Sequence, residues 1–282
     1  MKKLTLLLLA LLYVTLTYAY TERDLLQKQA DINRLKEILV LDRQWVTYPD
    51  YNDRAGWDRF LGTFKDEYIR RGEKRLNYQW QVVKATDYLA FERTGNRQIM
   101  EKPFGANNGA IADLLMAELA EGKGRFVDQL INGVFNACEM TSWALAAHII
   151  VQPSHRALPA YDYPVIDLTS GDLGGLLAWT YHFMRPSFDK VDPEISRRLR
   201  HELQTRILDP YMNNDSFWWM GRNYNGRMLN NWNPWCNSNA LMCFMLLEDN
   251  RDTLAKAVHL TMESVDKFLN YIKADGACEE GP

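Results

Sequence analysis

The residues best suited to chemistry lie between positions 223 and 239, where the sequence reads N-Y-N-G-R-M-L-N-N-W-N-P-W-C-N-S-N. Tryptophan is uncommon in solvent loops, and each buried carboxamide needs several hydrogen-bond partners. Such a mixture is typical of the wall of a polar cleft, where amides face hydroxyls and carboxylates while indoles offer flat apolar faces. Because sugars present polar rims around apolar faces, the stretch predicts a carbohydrate site.

β-Elimination on a uronic-acid polymer is one reaction that such a cleft could support. A base removes the proton beside the carboxylate, and hydrogen-bond donors must offset the negative charge that builds on that group. We expect Asn231 to be the neutralising residue, with the neighbouring amides of Asn230, Asn233 and Asn237 binding the substrate. The alternative for each asparagine is a local role in capping a helix or closing a turn.

The aromatic and basic residues of the same stretch have candidate binding roles. Trp232 and Trp235 would stack on sugar rings, with core packing as the alternative. Tyr224 and Arg227 would bind hydroxyls or an acidic group, because a guanidinium makes bidentate contacts with carboxylates. Arg227 could equally be an ordinary surface residue.

A second set of candidates comes from residues 125–151, which we predict to form one long helix that is buried on most sides because it is apolar almost all round. A glutamate in such a helix must be paired or face a cleft, which makes Glu139 a candidate. Glu139 and Trp143 are four residues apart and would share one face. For His148 we expect a core histidine bonded to a backbone carbonyl, with substrate binding as the alternative.

The final residues, 275–282, read D-G-A-C-E-E-G-P and would form a polar loop. Glu279 and Glu280 could bind or polarise a substrate, or form a solvated acidic turn. A glycoside hydrolase needs two carboxylates that flank the scissile bond, so this class stays open beside the lyase. The available carboxylates are Glu139, Asp172, Asp215, Glu279 and Glu280. A glycan-binding module without catalysis is the third alternative.

Several common enzyme classes lack their motifs here. The sequence holds no G-x-S-x-G, no H-E-x-x-H and no P-loop, which argues against common serine hydrolases, zincins and nucleotide enzymes. The formal net charge is −3 and no basic stripe is visible, so nucleic acid is not an expected partner. An acidic polymer would have to be gripped locally.

Helical periodicity dominates the chain and predicts an all-α fold. Apolar residues recur at helical spacing, and no run alternates like a β-strand. We predict helices over residues 24–41, 52–71, 78–93, 97–122 (interrupted by Pro103, Gly105 and Gly109), 125–151, 169–184, 193–208, 237–247 and 252–271. These helices would pair into hairpins, and we infer that the hairpins wrap into an incomplete (α/α) toroid.

The first 19 residues are typical of a secretory signal. Lys2 and Lys3 precede an apolar core at residues 4–12, and T-Y-A supplies a cleavage site before Tyr20. We therefore expect residues 20–282 to form one toroid domain in a periplasmic or secreted protein. A membrane anchor is the alternative, but the apolar run is shorter than the ~20 residues of a bilayer span. No membrane span is expected after signal removal.

The four cysteines show no spacing typical of a zinc site. They are Cys138, Cys236, Cys243 and Cys278. We expect buried free thiols, with one disulfide as the alternative because an exported protein meets an oxidising compartment.

Three motifs resemble conserved blocks of the heparinase II/III family of polysaccharide lyases. They are N-N-W-N-P-W-C-N-S-N at residues 230–239, D-G-A-C-E-E-G-P at 275–282 and C-E-M-T-S-W-A-L-A-A-H at 138–148. The resemblance implies an incomplete (α/α) toroid followed by an antiparallel β-sandwich domain, and cleavage of acidic polysaccharides by β-elimination. It also implies that Asn231 helps to neutralise the uronate carboxylate.

The sequence departs from the family pattern in two places. Many relatives carry a histidine after that asparagine, whereas Trp232 stands here. The family also places a catalytic tyrosine shortly after the E-G-P block, and the printed sequence ends at Pro282. We therefore expect the toroid part of a lyase, incomplete as an enzyme and without a cofactor of its own. A zinc site in the β-sandwich domain is implied by the resemblance alone.

Overall fold

A computed structural model describes residues 22–223, 228–272 and 276 of the chain. These described residues contain helices and no β-strand, which confirms the predicted all-α class. The α-helices are α1 (Ile32–Ile38), α2 (Arg54–Leu61), α3 (Lys65–Glu73), α4 (Ala85–Thr94), α5 (Gln98–Glu121), α6 (Val127–Glu139), α7 (Leu168–Val191), α8 (Pro193–Leu203), α9 (Asp209–Asn213), α10 (Trp232–Leu247) and α11 (Arg251–Leu269). The predicted signal, residues 1–19, lies outside the described residues.

Helices that follow one another in sequence pack together around one hydrophobic core. The pairs α5 with α6, α7 with α8, and α10 with α11 are in contact, and α7 also packs against α10. Buried aromatic side chains from both halves of the chain, among them Trp57, Phe126, Trp219 and Phe244, belong to the same core. Packed neighbouring pairs are what a toroid requires, but the wrapping of these pairs into an incomplete toroid stays a prediction.

The N-terminal halves of α7 and α10 approach each other closely because glycines of α7 face α10. A Cβ atom added at Gly171 would lie 3.2 Å from the Cβ of Asn239, and one at Gly175 would lie 3.0 Å from its Oδ1. Side chains at these positions would push the helices apart. The contact brings Asp172 of α7 within hydrogen-bond reach of Asn239 of α10, at 2.9 Å.

The helix predicted over residues 125–151 is wrong beyond Glu139, where α6 ends. The indole Nε1 of Trp143 turns back and donates to a carbonyl in the last turn of α6, at 2.9 Å. Arg198 and Arg206 both donate to the Cys138 carbonyl of that turn, each at 3.3 Å. These donors satisfy carbonyls at the helix end, so the chain can leave the helix without exposing them to an apolar interior.

Several other helix boundaries differ from those that the apolar periodicity predicts. The helix predicted over residues 24–41 is reduced to α1, and the one over 52–71 is divided at Gly62, whose φ of 50° lies outside the helical range. The one over 78–93 begins only at Ala85. Asp53 caps α2, because its side chain accepts the Gly56 N–H at 2.8 Å.

Proline and glycine interrupt the helices less than predicted. α5 runs without a break through Pro103, and α7 continues through Pro186. An interior proline costs a helix roughly 3 kcal/mol, which burial of a long apolar helix against its neighbours can outweigh. α10 begins at Trp232, five residues before the predicted start at position 237. Pro193 occupies the first turn of α8, where a proline needs no backbone N–H partner.

The described cysteines are buried free thiols, which confirms that prediction for Cys138, Cys236 and Cys243. Burial raises the pKa of the Cys138 and Cys243 thiols to about 12, so both stay protonated and unreactive near neutral pH. Cys278 lies outside the described residues.

No helix within the described ranges combines the length and the apolar character needed to cross a membrane.

Candidate functional site

Asn231 occupies the N-cap of α10, with an exposed side chain that makes no capping hydrogen bond. Asn230 does the capping instead: its Oδ1 accepts the Trp232 N–H at 3.1 Å, and its carbonyl accepts the next N–H at 3.0 Å. Pro234 has no N–H, and the Trp235 N–H donates within the helix at 3.1 Å. The first backbone donors of α10 are therefore occupied, so an anion at this helix end would meet the Asn231 carboxamide.

Two indole groups follow this asparagine and remain accessible. Trp232 is half-buried, and its ring lies 5.4 Å from that of the exposed Trp218, with 39° between the planes. Trp235 is 44% exposed, and its Nε1 donates to Oδ1 of Asp172 at 2.7 Å. This hydrogen bond orients Trp235 without covering its face, which is the condition for stacking on a sugar ring.

His148 contacts this region through Trp232, since the two rings lie 4.7 Å apart at 62°. The Nδ1 atom of His148 is 2.7 Å from Oδ2 of Asp167, and Nε2 is 3.3 Å from the guanidinium of Arg97. The prediction of a backbone carbonyl partner is therefore wrong, because the ring bonds to the Asp167 carboxylate. The His148 side chain is 14% exposed, so it lies at the edge of the surface and not in the core.

Asp167 holds the imidazole in place from a fully buried position at the N-cap of α7. Its Oδ1 accepts the Ser170 N–H at 2.7 Å, and its Oδ2 accepts the Leu145 N–H at 3.1 Å. The Thr169 hydroxyl lies 3.1 Å from both oxygens. A buried carboxylate requires such donors, and together they fix its orientation toward His148.

Asn233 and Asn237 lie inside the protein, although substrate binding was predicted for both. The Oδ1 of Asn237 accepts the Tyr211 hydroxyl at 2.6 Å, and its Nδ2 donates to the Ser264 hydroxyl at 2.8 Å. The Nδ2 of Asn233 donates to the carbonyls of Trp219 and Ser264, at 2.7 and 3.0 Å. Both side chains are 0% exposed, which leaves no surface for a substrate. They tie α10 to α11.

Glu139 and Trp143 do not share a helix face, because α6 ends between them. Glu139 is exposed and pairs with Arg198 of α8 at 3.3 Å. Trp143 is 2% exposed, and the guanidinium of Arg206 lies 5.2 Å from its ring centroid. The shared cleft face predicted for these two residues is therefore wrong, and Trp143 packs in the core.

The remaining predicted site residues lie outside the described residues. They are Tyr224, Arg227, Glu279 and Glu280. Their roles stay predictions.

Among the carboxylates considered for a hydrolase, Asp172 lies on the surface beside Trp235, where it accepts two hydrogen bonds at one oxygen. Asp215 forms an ion pair with Arg222. Glu139 is engaged by Arg198. No two of these described carboxylates contact each other or a shared partner.

A separate cavity of about 250 Å³ contains none of the residues around Asn231. Its lining includes Trp143, Tyr163, Glu202 and Arg206. Glu202 and Arg206 are already paired with each other at 2.6 Å, so they offer little unused charge to a ligand. We place the candidate site at Asn231, where polar and aromatic groups are both accessible.

Sequence reasoning did not identify Trp218, Asp167 or Arg97 as parts of this region. For Asp167 a signal was present, because D-L-T-S at the start of α7 is a capping-box pattern completed by Ser170. Trp218 and Arg97 had no such signal, since only the fold brings them to the ring of Trp232 or His148.

Within the described ranges, no group of three or more His, Cys, Asp or Glu side chains is placed to hold a metal ion. The zinc site that the resemblance implies belongs to a β-sandwich domain, and its presence stays a prediction.

The fold and the site define an all-α protein with a partly exposed cluster of carboxamide, indole and imidazole groups. No protein-family model matches the chain, and no curated protein matches it either. The likeness to heparinase II/III lyases therefore rests on the three sequence motifs.

Proposed function

We propose that this chain is the toroid part of a polysaccharide lyase that binds a uronic-acid-containing polysaccharide. The binding region is the Asn231 surface, which consists of Asn231, Trp218, Trp232, Trp235 and His148. The observation that supports it is the exposure of one carboxamide, without a capping bond, beside accessible indoles and an imidazole. The signal-like pattern of residues 1–19 supports a periplasmic or secreted location.

The chemistry of this surface suits β-elimination. Indole faces would hold the sugar rings, and the amide N–H of Asn231 would donate to the uronate carboxylate. Removal of the proton at C5 leaves an electron pair that forms the C4=C5 double bond, while the C4–O bond breaks and the leaving oxygen takes up a proton. Donation to the carboxylate stabilises the charge that accumulates as the C5–H bond breaks.

The test compares Asn231→Ala with Asn132→Ala, which removes an exposed amide from α6 outside the Asn231 surface. Binding to oligosaccharides of alginate and heparan sulfate is measured by calorimetry, with a neutral glucan as control. We expect Asn231→Ala to weaken uronate binding by about tenfold or more, since a hydrogen bond to a charged group contributes ~1.5–3 kcal/mol. Asn132→Ala should bind like the wild type.

Ultraviolet absorbance of the unsaturated product distinguishes the reaction classes. New absorbance that depends on Asn231 supports the lyase. Cleavage products without a double bond would indicate a glycoside hydrolase. Binding without turnover, even in a version that carries the aromatic segment expected after the E-G-P block, would indicate a glycan-binding module. Equal uronate binding by the wild type and Asn231→Ala, or none by the wild type, would overturn the proposal.

A further inference from the structure

We infer that His148 is the proton-accepting group of the Asn231 surface, acting through Nε2, and that Asp167 is its positioning residue. This inference rests on the proposed function and deepens it. It is supported by the contacts on both nitrogens of the imidazole ring and by the contact of that ring with Trp232, at 4.7 Å.

The two contacts determine which nitrogen carries the hydrogen in the neutral ring. A guanidinium has donors and no acceptor, so the 3.3 Å contact between Arg97 and Nε2 requires a lone pair on Nε2. The hydrogen then resides on Nδ1, from which it donates to Asp167 at 2.7 Å. The neutral ring of His148 therefore holds its basic lone pair on the side of the half-exposed Arg97.

Asp167 suits a positioning role because it cannot rotate without losing several hydrogen bonds. Its oxygens accept from two backbone N–H groups and the Thr169 hydroxyl in addition to the imidazole. A carboxylate fixed behind an imidazole holds the ring orientation and stabilises the positive charge that forms when the far nitrogen takes up a proton. The arrangement orients His148 without requiring Asp167 to touch the substrate.

Arg97 contacts Nε2 of His148 in the free protein, and we expect substrate binding to change this contact. Its guanidinium also pairs with Glu101 at 2.6 Å, so it is shared between the carboxylate and the imidazole. A uronate carboxylate can form a bidentate contact with that guanidinium, which would draw it from Nε2. Binding of the acidic sugar would then uncover the lone pair that accepts the C5 proton, and the imidazolium could return that proton to the leaving oxygen.

The test uses His148→Asn, because the Nδ2 of asparagine replaces Nδ1 and keeps a donor for Asp167, while Nε2 is removed. Uronate oligosaccharide is incubated with the protein in D₂O, and deuterium at C5 in recovered substrate is measured by mass spectrometry. This exchange needs the base and not the step that expels the leaving group. We expect at least about a 100-fold loss of exchange, the lower range for general base catalysis.

Three controls accompany the exchange measurement. Calorimetry gives the uronate affinity of His148→Asn, so that exchange by the variant and by the wild type is compared at saturating oligosaccharide, and thermal unfolding should show that the variant is folded. Asp167→Asn keeps an N-cap acceptor for α7 and should lower exchange while preserving binding.

The outcomes separate this inference from the proposed function. If the wild type binds no uronate, the proposed function fails and the role of His148 fails with it. If the wild type binds uronate but shows no exchange, or His148→Asn exchanges as fast as the wild type, only the role of His148 is overturned. Nitrogen NMR provides an activity-independent check, since a neutral ring with its hydrogen on Nε2 would contradict the inference.

Discussion

At the scale of single residues, burial separates asparagines of one segment into two roles. Asn231 is exposed at the start of α10, whereas Asn237, six residues further on, is fully buried. Buried amides are stable only where their donors and acceptors are satisfied, and Tyr211 and Ser264 supply those partners for Asn237. A shared residue type therefore carries a structural function in one position and a candidate binding function in the other.

This contrast predicts different stabilities for two matched variants. Asn237→Ala should lower the free energy of unfolding by about 2–3 kcal/mol, because it removes a buried amide and leaves its polar neighbours short of partners. Asn231→Ala should change it by less than about 0.5 kcal/mol. Urea denaturation measures both values. Equal losses in the two variants would contradict the separate roles.

At the scale of secondary structure, α8 supports the end of α6. Glu202 is 7% exposed and lies between Arg198 and Arg206, with Nε–O distances of 2.8 and 2.6 Å. A π-helical turn, Gln204–Leu208, lies between the end of α8 and α9 and contains Arg206. Both guanidiniums also donate to the last turn of α6, so the ion-pair cluster determines where the chain leaves that helix toward His148.

This ion-pair cluster predicts that Glu202→Ala strongly lowers the stability of the fold. Removing the carboxylate leaves two guanidiniums close together, which should lower the free energy of unfolding by about 2–3 kcal/mol after allowance for their partial exposure. Glu194→Ala is the matched control, because Glu194 pairs with Arg197 in an exposed position on the same helix. The control should change stability by less than about 0.5 kcal/mol in the same chemical denaturation.

At the scale of the whole molecule, the first and last described helices meet. α1 packs against α11, and the segment before α1 is held by the fully buried Asp266. The Asp266 carboxylate accepts the Leu26 and Gln27 N–H groups, each at 2.9 Å. This contact joins the described ends of the chain, where Ala30 and Leu35 form a small apolar cluster with Ala255 of α11.

Asp266→Ala should release that segment before the rest of the fold is lost. Hydrogen exchange followed by mass spectrometry is expected to show at least about tenfold faster exchange around Leu26, because hydrogen bonds to a charged acceptor contribute ~1.5–3 kcal/mol. Asp252→Ala is the control, since Asp252 forms a solvent-exposed pair with Lys36 between the same two helices. Unchanged exchange around Leu26 in Asp266→Ala would show that the segment is anchored by other contacts.

The helical class and several helix starts could be read from the sequence because their signals are local. Asp53 and Pro193 mark the beginnings of α2 and α8 through capping and a fixed φ angle. The end of α6 could not be read in this way. It depends on Arg198 and Arg206, which reach the helix from α8 and the π-helical turn, far along the chain.

The candidate site shows the same difference between local signals and contacts from distant segments. Residue types and helical spacing indicate from the sequence alone an all-α protein with a polar, aromatic segment at positions 223–239. Only the tertiary structure decided that Asn231 is exposed while Asn237 is buried, and that His148 bonds to Asp167. The physical reason is that periodicity and capping depend on neighbours in sequence, whereas burial and the partners of polar groups depend on contacts between distant segments.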